Sequence, residues 1–201
     1  MAGQVKKART FTVDEYLAYE RAALERHEYF DGRIYEMESA DERQAIITVN
    51  LMAELGNQLK GRDSSLFSPN MKVRCDLTSE RATTVFCTYA DLMVAGDQLR
   101  FHDAHTDVLL NPTVIIEVLS ATTEAYKRGA KFRRYREGIP TCTDYLLVST
   151  AEPLIEHFTI NQDKLWMIAA TVMDLAESLP LASIDCTLKM AEVYDRIDFP
   201  N

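Results

Sequence analysis

Two acidic residues of this chain lie within apolar, strand-like runs. Asp91 is in the run TYADLMVA, and Glu117 is in the run TVIIEVLS. Runs rich in Val, Ile, Leu and Met that end at turn residues are typical of buried strands. A buried carboxylate is costly unless it has a basic partner, hydrogen bonds or a bound cation. Two such carboxylates on neighbouring strands could together bind Mg²⁺, which prefers one or two protein carboxylates and keeps several waters.

A lysine follows the second acid in a helical, basic segment. Lys131 lies fourteen residues after Glu117. Phosphodiester hydrolysis needs a hard cation to neutralise charge on the phosphate, and a nearby lysine can orient or deprotonate the attacking water. The three residues together therefore suggest a metal-dependent site that acts on a phosphate. The alternatives are a solvent-facing strand end for Asp91, an ion pair with an arginine for Glu117 and a solvated helix face for Lys131.

The length and composition predict an ordinary globular protein. The 201 residues are 47% apolar and 26% charged, which is enough for one core and argues against disordered or fibrous classes. No apolar run approaches the roughly 20 residues of a membrane helix, and the N-terminal MAGQVKKART has no apolar stretch behind it. We therefore expect a single domain over residues 1–201, no membrane association and a cytoplasmic location.

Other residues that could bind metal have unsuitable spacing. The four cysteines (Cys75, Cys87, Cys142 and Cys186) are far apart and form no CxxC pair, so we expect free thiols, of which Cys75 and Cys87 serve core packing. His102 and His105 lie in HDAHTD, which has neither the helical spacing of a zinc protease nor the fixed spacing of a zinc finger. Packing and loop roles are therefore favoured.

The charge distribution is uneven. The net charge is −9, yet six basic residues against two acids give +4 between Glu124 and Glu137, so the remainder carries −9 − 4 = −13. Salt screens exposed charges beyond roughly 8 Å at physiological ionic strength. A phosphate docked against this basic segment would therefore feel it more than the distant acidic excess.

The first half of the chain predicts alternating helices and strands. Thr12 and Glu15 form a capping-box pattern before an amphipathic helix, and Asp31-Gly32 is a strong type I′ hairpin signal. The predicted elements are a hairpin at 28–37, a helix at 41–60, and strands at 66–75 and 83–95, the last two separated by the polar 76–82.

The second half predicts a buried strand at 113–119 and then the basic helix, which continues to about residue 137. Further predicted elements are strands at 144–150, 154–160 and 165–172 and a short helix at 190–197, after a loop at 96–111 earlier in the chain. We found no internal repeat. The fold class is therefore α/β, with a mixed sheet flanked by helices.

The segments RHEYFDGRIYEM, YADLMV and NPTVIIEVLSATTEAYKRGAKFRRYREGIPTCTDYLLV resemble the Uma-two family of restriction-endonuclease-like proteins, a branch of the PD-(D/E)XK nuclease superfamily. The resemblance runs from about Glu28 to Val148. It implies a restriction-endonuclease-like core in which Asp91 is the PD aspartate and Glu117 the (D/E) residue. In this branch the lysine lies on the next helix, which matches Lys131, and Glu28 matches an acidic residue that such folds bring into the site.

The chain departs from the family pattern at several positions. Ala90 replaces the proline of the motif, Ala121-Thr122 replaces Pro-Ser, and Gln44 stands where relatives have histidine. Lys127 stands where the family has aspartate, one helical turn from Lys131. A like charge at that spacing could lower the pKa of Lys131 or disturb a supporting ion pair.

The resemblance implies a nuclease that hydrolyses DNA phosphodiesters with Mg²⁺ or Mn²⁺. Asp91, Glu117 and the carbonyl of Val118 would hold the metal, Lys131 would handle the water, and Glu28 would assist. A homodimer is expected because duplex DNA has twofold symmetry. One alternative is a catalytically inactive nuclease-fold protein that binds nucleic acid or a protein partner. Another is a purely structural dimerisation module.

Two secondary positions have competing interpretations. Glu28 could pair with Arg26 or Arg33 instead of entering a site. Lys72 could reach a phosphate, although a lysine at a strand edge is the more ordinary interpretation.

Overall fold

The computed structural model describes residues 10–78, 83–96 and 98–199. Most of the N-terminal MAGQVKKART and residues 79–82 of the predicted polar turn lie outside this part of the chain. Within it, no helix has the length and apolarity that crossing a lipid bilayer requires.

The elements alternate along the chain. The first half contains α1 (Val13–Ala22), β1 (His27–Phe30), β2 (Arg33–Glu36), α2 (Glu42–Leu59), β3 (Ser65–Phe67), β4 (Lys72–Thr78), β5 (Thr83–Tyr89) and β6 (Leu92–Ala95). The second half contains β7 (Val108–Leu109), β8 (Val114–Leu119), α3 (Glu124–Tyr126), a π-helix (Lys127–Lys131), α4 (Phe132–Gly138), β9 (Asp144–Ser149), β10 (Ile155–Ile160) and β11 (Trp166–Val172). The chain ends with β12 (Ser178–Leu181), a 3₁₀ turn (Ala182–Ile184), β13 (Cys186–Lys189) and α5 (Met190–Val193).

Local signals account for the N-terminal elements. Thr12 and Glu15 form the expected reciprocal capping box of α1. Asp31 and Gly32 both have positive φ, as the tight turn between β1 and β2 requires. Asp41 caps α2 by accepting a hydrogen bond from the backbone N–H of Gln44. These short-range preferences determine where α1, the β1–β2 hairpin and α2 begin or turn, and they do not require long-range strand pairing.

The strands form two main mixed sheets. The six-stranded sheet has the order β11-β10-β9-β8-β6-β3, and its β8–β9 pair is parallel. The five-stranded sheet has the order β2-β1-β5-β4-β7, and its β4–β7 pair is parallel. β12 and β13 form a separate hairpin. The predicted α/β class, with mixed sheets flanked by helices, is confirmed.

The two faces of β8 belong to two different cores. Val114, Ile116 and Val118 join the cluster formed with α2, α5 and the β12–β13 hairpin. Ile115 and Leu119 join the cluster formed with α4 and the five-stranded sheet. Because side chains alternate along a strand, Glu117 lies on the same face as Ile115 and Leu119. The acid therefore points towards the helical segment that follows β8.

The chain passes from one sheet to the other at Ala90 and Asp91. The single strand predicted at 83–95 is in fact two strands, β5 in the five-stranded sheet and β6 in the six-stranded sheet. The break leaves Asp91 outside both ladders, beside the N-terminal part of α2. This position frees its carboxylate to accept hydrogen bonds from other elements.

The predicted basic helix is continuous but irregular. A single π-helical turn from Lys127 to Lys131 separates α3 from α4. Such turns are rare and occur often at functional sites. Here the π-helical turn contains Lys127 and Lys131.

Candidate active site

Asp91 is held at the junction between the sheets. Its Oδ2 accepts hydrogen bonds from the backbone N–H of Val118 at 2.7 Å and from Lys127 Nζ at 2.5 Å. Its Oδ1 accepts a hydrogen bond from Gln44 Nε2 at 3.2 Å. Its side chain remains 16% exposed. One edge of the carboxylate therefore faces the solvent side of the site.

Glu117 is fully buried in the middle of β8. Its Oε1 accepts a hydrogen bond from the hydroxyl of Tyr135 at 2.9 Å and lies 2.8 Å from Lys131 Nζ. Its Oε2 lies 3.1 Å from Lys127 Nζ but lacks a hydrogen-bond partner in the described part of the chain. The charge of this buried acid is therefore balanced by two lysines and not by an arginine.

Lys131 is almost fully buried and points inwards. Besides its ion pair with Glu117, its Nζ donates a hydrogen bond to the carbonyl of Tyr89 at 2.8 Å. This carbonyl belongs to the end of β5, one residue before the break at Ala90. Lys131 thus ties the helical segment to both sheets, and it does not have the solvated position that was its alternative.

Lys127 contacts all three of the atoms that the sequence analysis proposed as metal ligands. Its Nζ lies 2.5 Å from Asp91 Oδ2, 3.1 Å from Glu117 Oε2 and 2.9 Å from the carbonyl oxygen of Val118. The side chain is buried, and the carbonyl of Lys127 itself accepts a hydrogen bond from Tyr145. We call Asp91, Glu117, Lys127 and Lys131 the central cluster.

The ionisation of the central cluster is coupled. Burial by itself would raise the pKa of Asp91, but the positive charges of Lys127 and Lys131 and hydrogen bonds from Lys127 and Val118 outweigh it, so this pKa is lowered. Burial would lower the pKa of Lys127, but the charges of Glu117 and Asp91 raise it above its ordinary value. At neutral pH Asp91 is therefore ionised and Lys127 is protonated.

A divalent cation does not fit this arrangement. The two carboxylates contribute −2 and the two lysines +2, so the central cluster is already neutral. The ammonium of Lys127 also lies within bonding distance of the three oxygens that would surround the metal. Residues 10–78, 83–96 and 98–199 contain no group of three or more His, Cys, Asp or Glu side chains suited to holding a metal.

Glu28 lies in β1 and is positioned by hydroxyl groups. Thr88 donates a hydrogen bond to its Oε2 at 3.1 Å, and Tyr126 donates one to its Oε1 at 2.7 Å. Arg134 donates in turn to the hydroxyl of Tyr126 at 2.9 Å. Arg26, one of its alternative partners, donates instead to the carbonyl of Pro69. Glu28 is thus oriented by its neighbours at the wall of a cleft.

The cleft has a volume of about 530 Å³ and reaches the central cluster. Its lining includes Glu28, Asp91, Lys127 and Lys131, and an apolar wall formed by Met37, Ala45, Val49, Met52 and Pro69. Its remaining charged residues are Arg26, Glu36 and Glu38. Since Asp91 is paired with Lys127, and Lys131 with Glu117, the unbalanced side chains are three glutamates and one arginine. The cleft outside the central cluster is therefore acidic.

Half of the six basic side chains of the basic segment are paired with acidic side chains. Lys127 and Lys131 belong to the central cluster, and Arg128 pairs with Glu124 at 3.0 Å and also with Glu156. Arg134 stacks on Phe30 and Phe86, at 3.8 and 4.6 Å from the ring centres. Arg133 and Arg136 are exposed. The local charge of +4 in the sequence is therefore far smaller as a surface feature.

Lys72 belongs to a second ionic cluster, which lies beside the loop histidines His102 and His105. Arg21 pairs with Asp103 at 2.8 Å and Asp107 at 2.7 Å, and Lys72 pairs with Asp107 at 3.0 Å. We call Arg21, Lys72, Asp103 and Asp107 the surface cluster. His102 contacts Arg74 and Asp14, and the backbone N–H of His105 donates a hydrogen bond to Asp103. This cluster joins α1 to the loop before β7.

The sequence did not indicate a site role for two residues that contact the central cluster. The hydroxyl of Tyr135 donates a hydrogen bond to Glu117, and burial and the Glu117 charge keep the pKa of Tyr135 well above its ordinary value. Gln44 was noted only as a replacement for histidine, and it donates to Asp91. The four cysteines are buried and free, as expected.

Comparisons with known proteins identify related chains. Residues 13–189 match the Uma2 family model, described as a putative restriction endonuclease. An uncharacterized protein of Synechocystis is 33% identical, with 92% of each chain covered, and a second is 28% identical over 86% of this chain and 94% of its own.

A solved structure shows the same fold. The crystal structure of a putative nuclease belonging to DUF820 from Anabaena variabilis superposes with a TM-score of 0.67 at 16% identity, covering 92% of this chain and 97% of that one. At this identity the likeness supports the nuclease-like fold alone. The family match covers most of the chain and includes every residue of the central cluster. This chain belongs to the Uma2 family of restriction-endonuclease-like proteins.

Proposed function

We propose that this chain is a non-hydrolysing member of its family, in which Lys127 takes the place of the divalent cation and the cleft serves as a binding site. The observation that carries this proposal is the contact of Lys127 Nζ with Asp91, Glu117 and the Val118 carbonyl. A protonated lysine supplies positive charge to the carboxylates but cannot polarise a bound water as a metal ion does. The site is assembled, but the reaction lacks its Lewis acid.

A divalent cation would have to displace Lys127 to reach the carboxylates. A divalent cation could enter only if Lys127 left its three oxygen partners. The lysine would then have to lose buried, charge-assisted hydrogen bonds, which are stronger than neutral ones. It would also remain close enough to repel the incoming cation. Both effects lower the affinity for Mg²⁺ or Mn²⁺.

The second candidate function is hydrolysis of DNA phosphodiesters with Mg²⁺ or Mn²⁺. The observation that favours it is the grouping of Asp91, Glu117, Lys131 and Glu28 around one cleft, where Asp91 keeps 16% exposure. This candidate requires that Lys127 withdraws when substrate or metal binds. Both candidate functions are compatible with the homodimer expected from the sequence, and neither requires it.

The ligand class follows from the charges around the cleft. Nucleic acid would meet Glu28, Glu36 and Glu38 at the same opening, which opposes binding of a polyanion. The pairing of Lys127, Arg128 and Lys131 with acids reduces the attraction that the sequence suggested. Within the non-hydrolysing proposal, we therefore favour a protein partner over nucleic acid as the ligand of the cleft.

The decisive experiment compares Mn²⁺ binding and DNA cleavage in the wild type and in Lys127→Asp. The substitution changes the cluster charge from zero to −3 + 1 = −2, which matches one divalent cation. We expect no saturable Mn²⁺ binding by the wild type at millimolar concentration and clear binding by Lys127→Asp. The exposed Lys60→Asp has the same charge change far from the cluster and should behave as the wild type.

A further substitution tests whether Mn²⁺ binds at the central cluster. In the Lys127→Asp background, Asp91→Ala should abolish the acquired Mn²⁺ binding. Wild-type protein that binds Mn²⁺ and cuts DNA, with both properties lost in Asp91→Ala, would overturn the proposal and establish the metal-dependent nuclease. Measuring DNA affinity over a range of salt concentrations then separates the ligand classes, because phosphate contacts give a steep salt dependence.

A further inference from the structure

The outer edge of the six-stranded sheet carries an unusual set of exposed apolar side chains. β11 pairs with β10 on one side, and no described strand lies on its other side. Nine large apolar residues are exposed in the described part of the chain, and five of them lie on β11 or next to it: Leu165, Met167, Ile168, Met173 and Leu175. Their exposed fractions run from 42% to 63%. Large apolar patches on soluble proteins are typical of interaction surfaces.

This edge lacks the usual protection against pairing. The nine residues from Leu165 to Met173 include no charge and no proline. Natural edge strands are normally protected by lysine, proline, a bulge or a covering element. β11 has one such feature, a register shift opposite His157 and Phe158 that leaves Ala169 as an extra residue. The bulge lies in the middle of the segment, so the stretches on both sides of it remain available.

We propose that this edge is the interface between two copies of the chain, related by a twofold axis near Ala169. The two β11 strands then run antiparallel, and their apolar side chains pack against each other. Backbone hydrogen bonds between the copies are expected on both sides of the bulge and not through it. This proposal is independent of the role of Lys127.

The charges at the ends of the segment favour a second copy as the occupant. Lys164 precedes the apolar stretch and Asp174 follows it, and both are exposed. In an antiparallel arrangement, the end that carries Lys164 meets the end of the other copy that carries Asp174. Lys164 and Asp174 are therefore complementary across the axis, while Asp163, the residue before Lys164, lies opposite the apolar Leu175. The apolar stretch between these ends is complementary to itself, as a twofold interface requires.

The first test is the oligomeric state by sedimentation at micromolar concentrations. We expect the wild type to form a dimer and Ile168→Lys to raise its dissociation constant at least about tenfold, because a lysine would be buried in an apolar interface. Thr171→Arg, on the same exposed strand, should act in the same direction. Leu24→Lys introduces the same charge at a residue that is 99% exposed elsewhere and should leave the dimer unchanged.

The second test exchanges the terminal charges. Lys164→Asp places two acids together and should weaken the dimer about two- to fivefold at low salt. The double variant Lys164→Asp with Asp174→Lys should restore the wild-type constant. All of these positions are exposed, so circular dichroism should show unchanged folding. A monomeric wild type, or a dimer equally insensitive to Ile168→Lys, Thr171→Arg and the charge exchange, would overturn the assignment.

Discussion

The central cluster and the surface cluster have the same charge composition but different surroundings. Each combines two acids with two basic side chains. In the central cluster, the Glu117 side chain is fully buried and that of Lys131 is 2% exposed. In the surface cluster, Arg21 is 25% and Asp103 33% exposed. Equal numbers of ion pairs therefore have unequal consequences, because burial removes the water that would otherwise solvate an unpaired charge.

The two clusters differ in the free energy of unfolding that is lost when one member of an ion pair is removed. Water and salt can compensate an exposed ion that loses its partner, so exposed pairs contribute little to stability. A buried ion without its partner keeps the full desolvation penalty. The surface cluster joins α1, the loop before β7 and the start of β4, whereas the central cluster joins both sheets and the helical segment. The following predictions compare the two clusters directly.

The largest effect is expected for Glu117→Gln. The amide cannot balance Lys127 and Lys131, so we expect the free energy of unfolding to fall by about 3 kcal/mol or more. The matched change in the surface cluster, Asp103→Asn, should lower it by about 1 kcal/mol or less, because Asp103 and Arg21 are both partly exposed and Arg21 keeps its pair with Asp107. Urea denaturation measures both values. Equal losses would show that burial does not distinguish the clusters.

Lys127→Met is expected to cost less, about 2 kcal/mol, because hydrogen bonds to Asp91 and the ion pair of Glu117 with Lys131 remain. The methionine keeps most of the apolar stem while removing the charge. Lys72→Met is the matched control, since Lys72 is also buried but its partner Asp107 keeps the Arg21 pair. Urea denaturation should therefore show a smaller loss for Lys72→Met. A larger loss for the control would contradict the ranking.

The third prediction concerns the dependence of stability on pH under acidic conditions. The pKa of Asp91 is lowered in the folded protein, so its ion pair contributes stability above the unfolded pKa of about 3.9, and this contribution is lost as the pH falls through the folded value. Asp91→Asn should remove that part of the acid dependence. Unfolding free energies measured between neutral and acidic pH test this. Identical slopes for the wild type and Asp91→Asn would be the contrary result.

The smallest predicted effect is a difference between the two clusters in how the coupling energy of an ion pair depends on salt concentration. A double-mutant cycle on Arg21 and Asp107 should give a coupling of about 0.2–1 kcal/mol at low salt. At 1 M salt the screening length falls to about 3 Å and the coupling should diminish. The same cycle on Glu117 and Lys131 should change little, because ions do not enter the buried site. A parallel decrease in both cycles would argue for solvent access to the central cluster.

The sequence was informative where structure is decided locally. The Asp31-Gly32 turn and the capped start of α1 depend on residues within a few positions, and both were predicted. Asp91 and Glu117 stood out because acids in apolar runs are costly anywhere. Leu24, although apolar, follows the end of α1 at Ala22, and its side chain is 99% exposed.

Long-range contacts explain what the sequence could not show. The run 83–95 looked like one strand because its composition is uniformly favourable, and only pairing with distant strands divides it at Asp91. Lys127 was noted as a departure from the family pattern and as a like charge near Lys131. Its contact with the carboxylates depends on three separate segments and a π-helical turn, which a linear pattern does not encode.

The connection between β8 and β9 has a consequence for the order of folding. This parallel pair needs the whole crossover 120–143, and the crossover carries both lysines. Their partners come from β8, from the end of β5 and from the junction at Asp91, so the charges meet only after these distant segments have docked. Contacts of this kind tend to form after the folding transition state. We expect substitutions in the central cluster to accelerate unfolding far more than they slow folding, so the lifetime of the native state would depend on these lysines.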